Sequence, residues 1–221
     1  ETLLIGTFNY AKESRRESVA TFTDGVFICK VKNATTDFVK FHPYSKLTNA
    51  YRYLEQHQMI RFKEKSRKGK ETNLGFDLHM HPNVISNDSQ YIMVGEVYYP
   101  EYHLESHYDV RGYWMYEEVF DGYNYTHGVA IAFDETGNLI WDNIMKLDEI
   151  FSYDMRENVV LHTEENQQVM LYYRDGKIYS KGFHNNEVSF KERSDELVTV
   201  KENEVVVVEE NGLIFKWYKS Y

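Results

Sequence analysis

The sequence predicts an all-β protein, a propeller-like repeat of antiparallel strand units with one inserted helix near residues 45–58. Three observations carry that expectation. Hydrophobics are 42% of the 221 residues and aromatics 16%, enough for a packed core and weighted toward strand formers. One pattern then recurs four times: an apolar or alternating run, a Gly-containing turn and a second alternating run. It is centred on Asp24-Gly25, Thr136-Gly137, Asp175-Gly176 and Asn211-Gly212. Asp-Gly and Asn-Gly accept the positive φ angles of a tight hairpin turn. Finally, the spacing from Gly137 to Gly176 is 39 residues and from Gly176 to Gly212 is 36, compatible with four-stranded blades. A β-sandwich is the competing architecture, because evenly spaced short strands suit both.

Taken in order, residues 2–8 and 18–31 read as strands, with 38–42 a further short one. Residues 45–58 read as the helix: Ser45 or Thr48 serves as cap, and Leu47, Tyr51 and Leu54 share a face at i, i+4 and i+7. A basic run, Arg61 to Lys70, follows as a solvated segment. Strand signals return at 83–86 and 91–99, and again at 127–134 and 138–142. Between them, residues 100–126 read as irregular and crowded with Tyr, His and acids. The C-terminal third is almost unbroken short strands: 158–163, 168–174, 177–183, 187–191, 196–201, 204–209 and 213–218. The three prolines, Pro43, Pro82 and Pro100, fall at segment edges. The expectation is a single domain over 1–221, with insertions at 45–70 and 100–126.

Charge narrows the partners. Lys plus Arg number 25 against 35 Asp plus Glu, a formal net charge of −10, which repels nucleic acid and anionic membrane. No apolar run is long enough for a transmembrane helix, and no signal peptide is visible. The lone Cys29 sits in an alternating run and reads as a buried thiol. The chain opens at Glu1 within a strand-like run and ends in another, so a processed protein or a fragment is expected.

The stretch Gly137 to Asn143 (GNLIWDN) is similar to strand ends of quinoprotein-type propeller blades, without their regular repeats or a quinone site. More widely, LLIGTF (3–8), DGVFICKV (24–31), YIMVGEVYYPEY (91–102) and FDGYNYTHGVAIAFDETGNLIWDN (120–143) resemble uncharacterised secreted proteins of Bacteroidetes-type bacteria. That resemblance implies an exported, periplasmic or extracellular β-propeller-like protein and supplies no catalytic residue.

Two groups of residues are candidate sites. Tyr98, Tyr99, Tyr102, Tyr108, Tyr113, Trp114, Tyr116, Phe120, Tyr123 and Tyr125 crowd into one stretch. Tyr and Trp offer rigid contact area with a polar handle, so the expected role is recognition of a protein or glycan. The rings could instead tuck over the sheet as a satellite core. His79 and His81, two apart, share a face if extended, as do Glu101, His103, Glu105 and His107. The alternative function is therefore a metal-dependent hydrolase, with His79, His81, His103 and His107 holding a divalent metal and Glu96 as base. A third is a structural module of an envelope assembly. Glu117-Glu118 with Asp121 is a weaker carboxylate grouping, and Asp134, Asp142 and Asp148 do not match a calcium loop. The leading expectation is a non-catalytic binding protein with no required cofactor. Sequons at Asn33, Asn87 and Asn124 carry meaning only in a glycosylating host.

Overall fold

The computed structural model describes residues 1–10, 23–49, 76–87, 89–164, 167–196, 206–210 and 213–217, and all its described sheet pairing is antiparallel. Strands β1 (Thr2–Phe8), β2 (Gly25–Lys32) and β3 (Thr35–Pro43) form one sheet in the order β1-β2-β3. The central sheet runs β4-β6-β7-β8, from β4 (Asp77–Met80), β6 (Gln90–Tyr108), β7 (Trp114–Asp134) and β8 (Leu139–Ser152). The short β5 (Ile85–Asn87) also pairs with β6. A third sheet has the order β12-β11-β10-β9, from β9 (Val159–Glu164), β10 (Gln167–Arg174), β11 (Lys177–His184) and β12 (Glu187–Glu196). Strands β13 (Val206–Glu210) and β14 (Leu213–Trp217) pair with each other.

The central sheet is buried on both faces. Alternate residues of β6 and β7 enter two different cores. Ile92, Val94, Ala130 and Ala132 meet Val159, Leu161, Met170, Tyr172 and Phe183 of the third sheet. Met93, Val97, Val129, Ile131 and Phe133 meet Val26 and Ile28 of the first sheet, with Tyr44, Leu47 and Phe76. The result is three stacked layers, a sandwich-like arrangement of open sheets. It explains why Val129-Ala-Ile-Ala-Phe133 is a continuous apolar run rather than an alternating one: neither face meets water. Packing is close at Gly128, where a Cβ would meet Met170 Sδ and Val159 Cγ2 at 2.9 Å.

Polar ties reinforce the stacking. On β8, Asp142 Oδ1 and Oδ2 accept the backbone N–H groups of Thr48 and Asn49 at 2.6 and 2.7 Å. From the other side, Asn143 Nδ2 donates to Asn185 O, and Lys181 Nζ donates to Ile144 O at 2.8 Å. Cys29 is buried, as expected.

Several local expectations change. Tyr44–Lys46 is a single 3-10 turn and Leu47 is already extended (ψ 140), so no helix runs on from Ser45; residues 50–58 and the basic run lie outside the described residues. Asp24-Gly25 is not a hairpin turn. Gly25 begins β2 opposite Phe8, and a Cβ there would meet His42 O at 2.5 Å, so close approach explains the glycine. The turn between β2 and β3 is Asn33-Ala34, both at positive φ (52 and 60). Asp175-Gly176 does form a tight hairpin turn (φ 49 and 77), and the strands flanking 211–212 do pair.

His127 on β7 gives a test of the layered core. It is mostly buried, and burial, helped by Lys146 and Lys181, pushes its imidazole down to about 4 from its ordinary 6.5. The folded state thus resists the charged form. Stability is complete above pH 6.5 and falls as pH drops from 6.5 toward 4, by up to about 3 kcal/mol. Urea titrations at stepped pH should show this loss in the wild type and a flatter profile in His127→Gln.

Candidate functional site

Strands β6 and β7 are far longer than the sheet they belong to. Pairing of β7 to β8 ends at Tyr123↔Ser152, and pairing of β6 to β4 ends at Tyr98↔Asp77. Beyond that, β6 and β7 pair only with each other among the described residues, out to Tyr108↔Trp114. The result is a two-stranded arm about 30 Å long at ~3.4 Å per residue. Residues 100–126, expected to be irregular, are instead two paired strand segments joined by a short turn, with a register shift between Glu101 and Tyr102.

The arm's tip explains why. Asp109 Oδ1 accepts the N–H groups of Arg111 and Tyr113 at 2.9 and 2.8 Å, and Gly112 supplies φ 79. Asp134 does the same for Thr136 and Asn138 at 2.9 and 2.8 Å, with Gly137 at φ 80. One Asp-x-x-Gly turn therefore closes both hairpins, and the repeated spacing was the overlooked sign of strand pairing at 100–126.

Opposed residues of an antiparallel pair share a face, so register sorts the arm's side chains. One face carries Tyr102, Leu104 and Tyr108 of β6 opposite Phe120, Glu118 and Trp114 of β7, with Ser106 opposite Tyr116. It continues the face that nearer the core is covered by the third sheet. Tyr102 and Phe120 meet edge to face at 5.6 Å, and Tyr108 and Trp114 lie 4.0 Å apart. Tyr102, Leu104, Tyr108, Trp114 and Tyr116 are all more than half exposed, Tyr116 to 71%. Tyr113, beside the tip, is exposed as well, as is Tyr99 nearer the sheet.

The aromatic candidates therefore divide. Tyr125 is 1% exposed and belongs to the core, and Tyr98 and Tyr123 pack against it. Contacts from Tyr98 to Tyr123 (5.4 Å) and from Tyr123 to Phe120 (4.9 Å) join that core to the exposed rings. These three residues anchor the arm, and the surface begins at Tyr102.

The opposite face is polar. His103 Nδ1 lies 2.6 Å from Asp121 Oδ1, and its Nε2 lies 3.2 Å from Glu105 Oε1. Glu105 and then Asp121 raise the His103 imidazole above its ordinary value. His107 pairs with Met115 farther out and is exposed. Glu117 and Glu118 fall on opposite faces, so they do not flank a common point with Asp121.

His79 and His81 are not near these groups. His79 is opposite Glu96 in the β4–β6 pair, and the two imidazoles lie 6.4 Å apart. His103 is seven residues farther along β6 than Glu96, about 24 Å away at ~3.4 Å per residue. The four histidines do not converge. Among the described residues, no three His, Cys, Asp or Glu side chains form a group that could hold a metal ion. Glu96 itself is 0% exposed. Its Oε1 accepts from Asn158 N (2.6 Å) and Val159 N (2.8 Å) and lies 3.0 Å from His81 Nε2, while Oε2 accepts from Asn158 Nδ2 (2.7 Å). Both oxygens are engaged in tying the start of β9 to the central sheet, a structural latch rather than an open base.

No protein-family model matches the chain, and no curated protein or solved structure is significantly similar to it. Among the described residues, no helix is long and apolar enough to cross a membrane.

Proposed function

We propose that this protein acts by binding a partner through the aromatic face of the β6–β7 arm. One observation carries the reading: Tyr102, Leu104, Tyr108, Trp114 and Tyr116 are exposed together on one face of an arm that adds nothing to either core beyond its base. Large rings held in water on a paired ribbon are not needed for folding, and contiguous exposed apolar surface marks interaction sites. In this reading the three stacked sheets are the scaffold and the arm is the contact element.

The test is to shorten the arm. Replacing Leu104–Glu118 by Asn-Gly leaves His103↔Val119 as the closing pair and keeps both cores whole. The expected result is a melting temperature within about 3 °C of the wild type and loss of ligands found for the wild type on peptide and glycan arrays. The triple variant Tyr108→Ser, Trp114→Ser, Tyr116→Ser should behave likewise. Ligand binding that survives both changes would overturn the reading, and global unfolding on shortening would make the arm structural instead.

A further inference from the structure

We infer that the occupant of the arm's aromatic face is an extended cationic peptide segment, whose Lys or Arg side chains sit over the exposed rings and pair with Glu118. The inference rests on the binding reading above and names its partner class.

Charge is the first argument. Residues 101–121 hold six carboxylates (Glu101, Glu105, Asp109, Glu117, Glu118, Asp121) against a single guanidinium, Arg111, at the tip. Some are already engaged: Asp109 closes the turn, Glu101 Oε1 accepts from Asn124 Nδ2 at 2.9 Å, and Glu105 and Asp121 hold His103. Glu117 and Glu118 have no hydrogen-bond or ion-pair partner among the described residues. Glu117 stands directly opposite Glu105. Glu105 and Glu117 lie on the polar face and add to the negative field of the arm, while Glu118 alone faces the rings.

Placement is the second. Glu118 is the one carboxylate on the aromatic face. It interrupts the rings between the Tyr102/Phe120 pair and the Tyr116 and Tyr108/Trp114 group. Neighbouring positions on one face are about 7 Å apart along a strand, so a cation over the Tyr116 ring is within reach of Glu118. Aromatic faces beside a carboxylate match both the charge and the apolar stem of Lys or Arg.

The open edges are the third. Along Tyr99–Tyr108 and Trp114–Gly122, each strand has a partner on one side only among the described residues. Such edges offer backbone N–H and C=O groups to an added strand. That favours an extended peptide, whose backbone can pair along an open strand edge, over a glycan, which has no such backbone. The acidic chain as a whole disfavours anionic nucleic acid and membrane.

The probes are capped peptides of about ten residues, long enough to span the arm. Arg or Lys occupies every second position and Val, Tyr or Ser the rest; a matched set carries Glu instead. Binding is read by calorimetry and by Trp114 fluorescence in a Trp141→Phe, Trp217→Phe background. At least one cationic peptide should bind saturably, more weakly in high salt, and Glu118→Gln should weaken it about tenfold. The Glu-bearing set should not bind. Absence of saturable cationic binding, equal binding of the acidic set, or an unchanged affinity in Glu118→Gln would overturn the inference. If array ligands still depend on the arm, the binding reading survives that outcome. If cationic peptides bind the shortened-arm protein equally well, the inference fails, and if the array ligands also survive shortening, both fail.

Discussion

Replacing Glu96 by alanine is expected to lower the unfolding free energy by about 3–5 kcal/mol, among the largest effects of any single change outside the apolar cores. The carboxylate is wholly buried and serves four donors at once: Asn158 N, Asn158 Nδ2, Val159 N and the His81 ring. Alanine leaves the buried Val159 N–H without its acceptor, at a cost of about 1–3 kcal/mol for one such group, and frees the segment that leads into β9. Because β9 pairs with β10, the latch positions the whole third sheet under the central one. Glu96→Gln is the informative partner variant. It keeps one acceptor oxygen but turns an amide donor toward donors, so a loss of about 1–3 kcal/mol is expected. Equilibrium urea unfolding of the three proteins checks the order wild type, Gln, Ala. A Gln variant as stable as the wild type would show that the latch does not depend on the carboxylate.

Trp141→Ala should cost a similar amount, about 3–5 kcal/mol, or a fall in melting temperature of about 10 °C. The indole is 1% exposed and lies in the core shared by β8 and the third sheet, with Nε1 donating to Gln90 Oε1 at 3.1 Å. Removing it opens a cavity between two sheets whose backbones are held by independent pairing, so the layers cannot collapse to fill it. Trp141→Phe retains most of the apolar contact but loses the donor and some volume, and about 1–2 kcal/mol should go with it. Thermal and urea unfolding measure both. A cost under about 1 kcal/mol for Trp141→Ala would mean that the two layers are not packed through this side chain.

Trp141 shows what a local reading leaves open. Its stretch is a strand, as expected, and which sheets its indole packs between is decided by the layering. Asp24-Gly25 is a local reading that fails. Glycine is used both where φ is positive and where another backbone comes close, and Gly25 is the second case, against His42 O. Ala34, at φ 60 in the actual turn, carries no turn signature at all. Conversely, Asp109-x-x-Gly112 repeats the legible Asp134-x-x-Gly137 and could have shown that 100–126 is a hairpin.

At the site, the aromatic crowding was plain in the residue types. Its division into anchors (Tyr98, Tyr123, Tyr125) and exposed rings (Tyr102 to Tyr116) was not. That division follows from where the third sheet stops covering the face of β6 and β7. Glu96, read from the sequence as the base of a metal site, likewise could not be told from a latch until Asn158, Val159 and His81 were seen to occupy its oxygens.

The β character of this chain and its tight turns are written locally. Aromatic and β-branched runs favour strands, and Asp-Gly or Asp-x-x-Gly closes them, through forces that act within a few residues. The layering, the reach of the arm and the face its rings occupy depend on contacts such as Asp142 with Asn49 and Glu96 with Val159. Those partners lie 93 and 63 positions apart. Whether a given strand face is buried is set by which sheet lands on it, a property of the assembled layers that no local period encodes.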